Sequence, residues 1–462
     1  MRGGLRILTF AAGALGGVGC GEGVLDTGMA VHGNALLPTA GRGEVVWARA
    51  FGDPAAYTHG SAVAVGPADE IVIAGDAGGT LDLGLGPIVS PTGEGRLFVA
   101  GLDPQGRTRF GVRFDNALIE GPKGMAVGAG GHVFVGGRLL GTTDFGAGPL
   151  GSSGDAFVLA LTPDGKTAWA RTFSATLRAS VTSLAVDPRG NVVLAGVFRG
   201  TMVLGTNAFS GAGNIFLARL DPQGNITWSK GLPGMNPQYV RAVAVDREGH
   251  VVIAGSFYDS IDLGDGRRES AGDTDVFVAK FTEAGTLLHG LRFGGSRHDT
   301  APDLALDVEG NAFLAGLFRG ELDLRDAPLS ATEPSLYLAK LDPQGRTLFA
   351  RGFQGSTHRP LLAVDASGEL RLGGGFRGTL HLGDVPLEAS GDDVFLAKLT
   401  SDGTVLWRHG YGDDEFQAAS SLAVDPQGNT LVIGSFRGTL DFGGEPLVGQ
   451  EPSDAFITKL SP

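Results

Sequence analysis

The chain has 462 residues, and 36 Lys and Arg against 50 Asp and Glu give it a formal net charge of −14. That balance excludes nucleic acid as the main partner, because phosphate binding needs a basic face. Hydrophobic residues make up 42%, and the 78 glycines follow no G-X-Y period, which argues against wholesale disorder and against a collagen helix. The single cysteine leaves no room for an intrachain disulfide framework or a Cys-based zinc site.

Residues 1–20 read as a secretory signal: Arg2 and Arg6 precede an uncharged run over 7–19 that is too short to span a bilayer. The run ends in Gly17-Val18-Gly19-Cys20, and Cys20 is the chain's one cysteine. This resembles the lipobox of bacterial lipoproteins, whose cysteine is lipidated and becomes the first residue of the mature chain. The family's usual Leu three places before the cysteine is Gly17 here. The resemblance implies an anchor at Cys20, and Gly21 in place of the Asp that signals inner-membrane retention implies the outer membrane or cell surface. Residues 21–43 lack periodic patterning and read as a flexible tether, about 25 Å long as a coil.

From residue 44 onward the chain repeats. The phrase SAVAVG at 61–66 returns as TSLAVD at 182–187, RAVAVD at 241–246 and SSLAVD at 420–425, making seven copies near a 60-residue spacing. Three further phrases accompany the copies, as in NVVLAG, NIFLARLD and WSKGL, the last of them missing after the seventh copy and found instead ahead of the first, at 47–51. All are short, apolar and bounded by Gly or Pro, which are strand signals. Turns such as Asp187-Pro188-Arg189-Gly190-Asn191 join them, with Pro presetting φ and Gly accepting positive φ. Each repeat therefore reads as four antiparallel strands a–b–c–d, and seven such repeats predict an all-β, seven-bladed propeller over 44–462. The last strands carry two aromatic columns, Trp47, Phe110, Trp169, Trp228, His289, Phe349, Trp407 and Phe51, Phe114, Phe173, Leu232, Phe293, Phe353, Tyr411, read as packing. The sequence closes on a c-type strand at 454–460 and opens on an orphan d-type strand at 44–51, so the two are expected to pair.

The stretches Ala-Val-Asp-Pro-x-Gly-Asn, Gly434 to Gly443 and Asp393 to Leu399 resemble the bacterial β-propeller-repeat family of the SBBP type, over residues 44–462. The resemblance implies secreted or surface lipoproteins and no agreed activity.

No Gly-rich phosphate cradle and no Gly-x-Ser-x-Gly elbow is present. The turn aspartates Asp307, Asp365 and Asp425 read as structural, and Asp413, Asp414 and Glu415 form a weak calcium candidate without the full loop spacing. Arginine follows Phe at Arg199, Arg319, Arg377 and Arg437, with Arg138 in a related place, and is expected to pair with the Asp opening strand c: Asp155, Asp275, Asp393 or Asp454. The d–a loops vary most between repeats, which is where function on a rigid scaffold usually sits. They offer Tyr57, His59, Tyr239, Arg297, His298, His358 and Arg359 as candidate contacts. The expectation is a monomeric, non-enzymatic, membrane-tethered binding or scaffold protein of the bacterial envelope, without cofactor or resident metal. It would recognise a protein or glycan through the loop face. The alternative is a hydrolase or lyase acting on extracellular polymers at the axial funnel.

Overall fold

The structure, a computed structural model, describes residues 43–462 apart from 54–55, 90–95, 116, 118, 153, 301, 326 and 450–451. The expected signal over 1–20, Cys20, and the expected tether as far as residue 42 lie outside the described residues.

Seven four-stranded antiparallel sheets follow one another along the chain. Their a strands are Thr58–Val65, Ile119–Val127, Arg178–Val186, Gln238–Val245, Asp303–Leu306, Ser356–Val364 and Gln417–Val424, in blades 1 to 7. Each a strand touches the a strands of both neighbouring blades, so the seven form the innermost ring. The final blade takes its d strand, Val45–Phe51, from the start of the described chain, in register Val45↔Leu460 to Phe51↔Ala455 with Asp454–Leu460. The ring is closed as the sequence implied, and the closure pairs Asp454–Leu460 on both sides and brings the last blade to four strands.

The central stretches of strands b and c are largely apolar because both of their faces are covered. In blade 3, Val192 and Leu194 of strand b (Val192–Leu204) pack toward blade 2, whereas Val193 and Ala195 pack toward blade 4. Seven such clusters fill the seven blade interfaces. Each fully buried Leu, Ile, Val or Phe contributes about 1.5–3 kcal/mol.

The first aromatic column has a more specific task than filling a wedge. A Cβ on Gly106 would lie 2.8 Å from the Trp47 ring; Gly224 stands in the same relation to Trp169, Gly285 to Trp228, and Gly43 to Trp407. Each ring covers a glycine of the next blade, and Trp228 Nε1 also donates to the Glu283 carbonyl at 2.9 Å. His289 takes the same place against Gly345, and burial holds its imidazole pKa low, so it packs as expected.

The turn aspartates act as caps. Asp425 Oδ1 accepts from the amides of Gln427 and Asn429, and its Oδ2 receives Lys459 Nζ at 2.7 Å. The Lys of the Ala-Lys-Leu phrase thus belongs to a buried pair; Lys280 with Asp246 and Lys340 with Asp307 repeat it. Unforeseen in the sequence, blades 3, 4 and 5 prolong strands b and c into continuous ribbons, whereas blade 6 carries a separate two-stranded piece, Thr379–Leu380 with Leu387–Glu388.

Candidate functional site

The site begins with an irregularity. In blade 1, Gly60 faces Gly75 and Ala62 faces Ala74, leaving Ser61 as an extra residue. The same bulge places Lys123, Thr182, Arg241 and Ser420 in blades 2, 3, 4 and 7. In blade 6, Arg359 and Pro360 together oppose Gly374, and Arg359 has φ 50°. A bulge re-aims side chains and interrupts the ladder. Here Ser61, Lys123, Thr182, Arg241, Arg359 and Ser420 all line one axial cavity of about 840 Å³. The cavity opens among the residues next to the d–a and b–c loops, including His59, Tyr239 and Phe416, and its deeper lining is the apolar row Val63, Met125, Leu184, Leu362 and Leu422.

Inner-edge amides of neighbouring a strands have no ladder partner across the blade boundary, so side chains supply one. Val63 N donates to Ser421 Oγ at 3.2 Å, Val243 N to Ser183 Oγ at 3.1 Å, and Leu362 N to Asp303 Oδ2 at 2.9 Å. At Gly124 the blades come closer still: a Cβ there would lie 2.9 Å from the Leu184 nitrogen.

The mouth carries both signs of charge. Arg138 Nη2 holds Glu120 Oε2 at 2.6 Å, and Lys123 stands 3.9 Å from Glu120 Oε1. Arg241 donates to the Pro360 carbonyl at 3.0 Å. Burial pushes the Asp303 carboxyl up, opposed by Arg241 and by the amides of Leu362 and Leu304. Desolvation, then the neighbouring Arg241, hold the Arg359 guanidinium below its ordinary value.

Three of the sequence candidates, His59, Tyr239 and Arg359, line the axial cavity. His59, Tyr239, His358 and Arg359, expected in loops, lie within a strands instead, because those strands begin earlier than the repeated phrase. Tyr57 stacks on His59 with centroids 4.8 Å apart, and His59 Nδ1 lies 3.6 Å from Asp76 Oδ2. His358 sits 3.9 Å from Asp392, with its pKa lowered by burial. Arg297 and His298 are exposed on the blade 4–5 loop, where His298 Nδ1 meets Thr274 Oγ1 at 2.7 Å. Asp413 accepts from the amides of Glu415 at 2.9 Å and Thr439 at 2.6 Å, so it orders its own loop. Among the described residues no group of three or more His, Cys, Asp or Glu is arranged to hold a metal ion.

The expected Arg–Asp column is corrected in blades 2 and 6. Arg377 pairs with Asp392, the residue before Asp393, and Arg138 with Glu120 rather than Asp155. The strand-opening carboxylates instead accept loop amides: Asp155 from Ser152 N at 2.9 Å and Asp393 from Ser390 N at 3.2 Å. Asp275 accepts from Ala271 N at 3.0 Å and from Arg292. A carboxylate on a buried strand end is closer to these amides than to an outward-pointing arginine.

The bulge ring was missed in the sequence. Its trace is two consecutive polar residues where alternation calls for one, as in Thr182-Ser183 and Ser420-Ser421.

No family model matches the chain. An uncharacterized WD repeat-containing protein of Acanthamoeba polyphaga mimivirus is 21% identical over 177 residues, 34% of this chain, which spans 12% of that relative's length. Several solved structures are similar to the chain at low identity. One of unknown function from Dyadobacter fermentans is 11% identical with TM-score 0.43, covering 92% of this chain and all (100%) of that one. Another of unknown function, from Bacteroides caccae, is 12% identical with TM-score 0.36, covering 68% and 89%. The WD40 propeller domain of Doa1 is 10% identical with TM-score 0.43, covering 90% and 96%.

Proposed function

We propose that the chain is a non-enzymatic binding protein of the bacterial envelope, tethered through lipidated Cys20, that recognises a protein or glycan at the mouth of the axial cavity. The observation that carries this reading is the ring of bulges, which brings three hydroxyls, Ser61, Thr182 and Ser420, and three cations, Lys123, Arg241 and Arg359, to one cavity of about 840 Å³. The opposite face is built from hairpin turns whose aspartates and lysines recur from blade to blade as structural pairs. A rigid ring that displays variable side chains lowers the ordering cost of binding. The likeness to SBBP-type repeats and to a lipobox supports the envelope location. Binding is preferred over polymer cleavage because Asp303, the cavity carboxyl that burial raises, already accepts from two amides, and Glu120 is held by Arg138.

The test presents the full chain to a panel of purified envelope glycans and proteins, with product release assayed in parallel. One class is expected to bind, and Arg241→Ala with Arg359→Ala is expected to weaken it at least tenfold without turnover. Retention of binding in that double variant would overturn the placement, and turnover would favour the hydrolase or lyase. Cys20→Ser should release the protein from membranes; if it stays bound, the anchor is wrong.

A further inference from the structure

A second cavity, of about 500 Å³, adjoins the axial one and shares Glu120, Lys123, Thr182 and Tyr239 with it. Its charged lining is Lys123, Arg138, Arg178 and Arg199 against the single carboxylate Glu120. That is four cations to one anion in a chain of net charge −14.

Two of these arginines are cross-strand partners. Arg178 on strand a faces Arg199 on strand b in the antiparallel register. Like charges directly opposite each other are unfavourable. Both side chains are exposed, and among the described residues neither has a carboxylate within ion-pair distance; Arg199 donates only to the Ala212 carbonyl, at 3.2 Å.

Blade 6 avoids this conflict. Its strand register is Ser356↔Arg377 and Phe376↔Asp393, equivalent to Arg178↔Arg199 and Phe198↔Asn214 in blade 3. Arg377 faces a serine and is held by Asp392 through two hydrogen bonds. Where blade 6 has Asp392-Asp393, blade 3 has Gly213-Asn214, and the serine has become Arg178. Three changes converge on one result: uncompensated positive charge above an apolar floor of Ala179, Val197, Phe198 and Pro237.

We propose that this groove, resting on the reading of the loop face as the recognition surface, binds an anionic oligosaccharide, carboxylated or sulfated. Guanidinium forks match carboxylate and sulfate oxygens in pairs. Tyr239, half exposed at 50% and braced edge-on by Tyr258 at 6.5 Å, offers a ring face to a pyranose. The volume suits a few sugar units, and the continuation into the axial cavity suits a chain longer than that. An acidic peptide fits less well. It would gain its affinity by adding a strand, and the bulges at Lys123 and Thr182 interrupt the inner edges it would need.

The test is calorimetry on the full chain with four probes: an oligogalacturonate, a heparin-derived oligosaccharide, a neutral cello-oligosaccharide and poly-glutamate. We expect one or both anionic glycans to bind, with affinity falling as salt rises. Arg178→Gln with Arg199→Gln should weaken that binding at least tenfold, the scale of one lost charge-assisted contact. Arg377→Gln should leave it unchanged. The preferred anionic probe distinguishes carboxylate from sulfate. The groove assignment is overturned if the double variant binds as the parent does, or if neither anionic glycan binds. Preference for poly-glutamate would replace the glycan by a peptide. A neutral glycan lost on Tyr239→Ala but indifferent to both arginines would overturn the anionic assignment while leaving the wider reading of the face intact.

Discussion

In blade 6, Arg377 is clasped by Asp392 and stands across from Ser356. In blade 3, Arg199 occupies the same register, stands across from Arg178, and donates to the Ala212 carbonyl, with Gly213-Asn214 in the place of Asp392-Asp393. Blade 3 carries strands b and c on as one ribbon past Arg199, whereas blade 6 ends strand b at Arg377 and resumes at Thr379, so the difference at the rim is one of backbone as well as of side chains. It teaches that a repeat can keep its core and change its surface independently. Core residues on strands b and c answer to two neighbouring blades at once, whereas the rim answers only to solvent and to whatever binds there.

The contrast can be tested first on the shared framework. Trp407 of blade 6 is buried against Gly43, and Trp407→Ala should cost about 3 kcal/mol of stability while leaving ligand affinity unchanged. A denaturant titration beside calorimetry checks both halves, and a binding defect would show that framework and rim are coupled.

The next largest effect should come from giving blade 3 the electrostatics of blade 6. Arg178→Glu places a carboxylate opposite Arg199. Affinity for an anionic glycan should fall by about a hundredfold, because one contact is lost and one repulsion added. Stability should rise by roughly 0.2–1 kcal/mol, the range for an opposite-charge cross-strand pair. An unfolding midpoint that falls would mean Arg178 and Arg199 are not in conflict.

A third region buries charge that the other two display. On the blade 4–5 loop, desolvation, reinforced by Asp275, raises Asp299 to about 7. A carboxyl raised in the folded state binds its proton more tightly there than when unfolded, so it stabilises the fold at low pH. That contribution is present below about pH 4 and is lost as pH rises through about 7. Unfolding free energy should therefore decline over that window, by at most about 1.4 kcal/mol per pH unit for one proton. Asp299→Asn should flatten the slope; an unchanged slope would assign it to another group.

The smallest effect is expected in blade 6 itself. Asp392→Asn frees Arg377, yet the pair is exposed on the arginine side, so the unfolding midpoint should hardly move. A large drop would mean that Asp392 also orders the His358 ring 3.9 Å away.

The sequence by itself determined the number of blades, their strand order, the tight turns and the closure between residues 45–51 and 454–460. These are written locally: Pro and Gly set the turns, and burial of both sheet faces makes the central stretches of strands b and c largely apolar. It also marked Tyr239, His59 and Arg359 as rim residues, since variable loops lead into the a strands. Only the tertiary structure decided where those residues meet. The bulge ring arises because seven a strands converge on one axis, and an extra residue in each of six turns a different side chain inward. The arginine conflict in blade 3 was equally hidden, because Arg178 and Arg199 are 21 positions apart and their opposition is a matter of register. Local rules fix elements, but a site is made of residues from several blades, and only the closed ring brings them together.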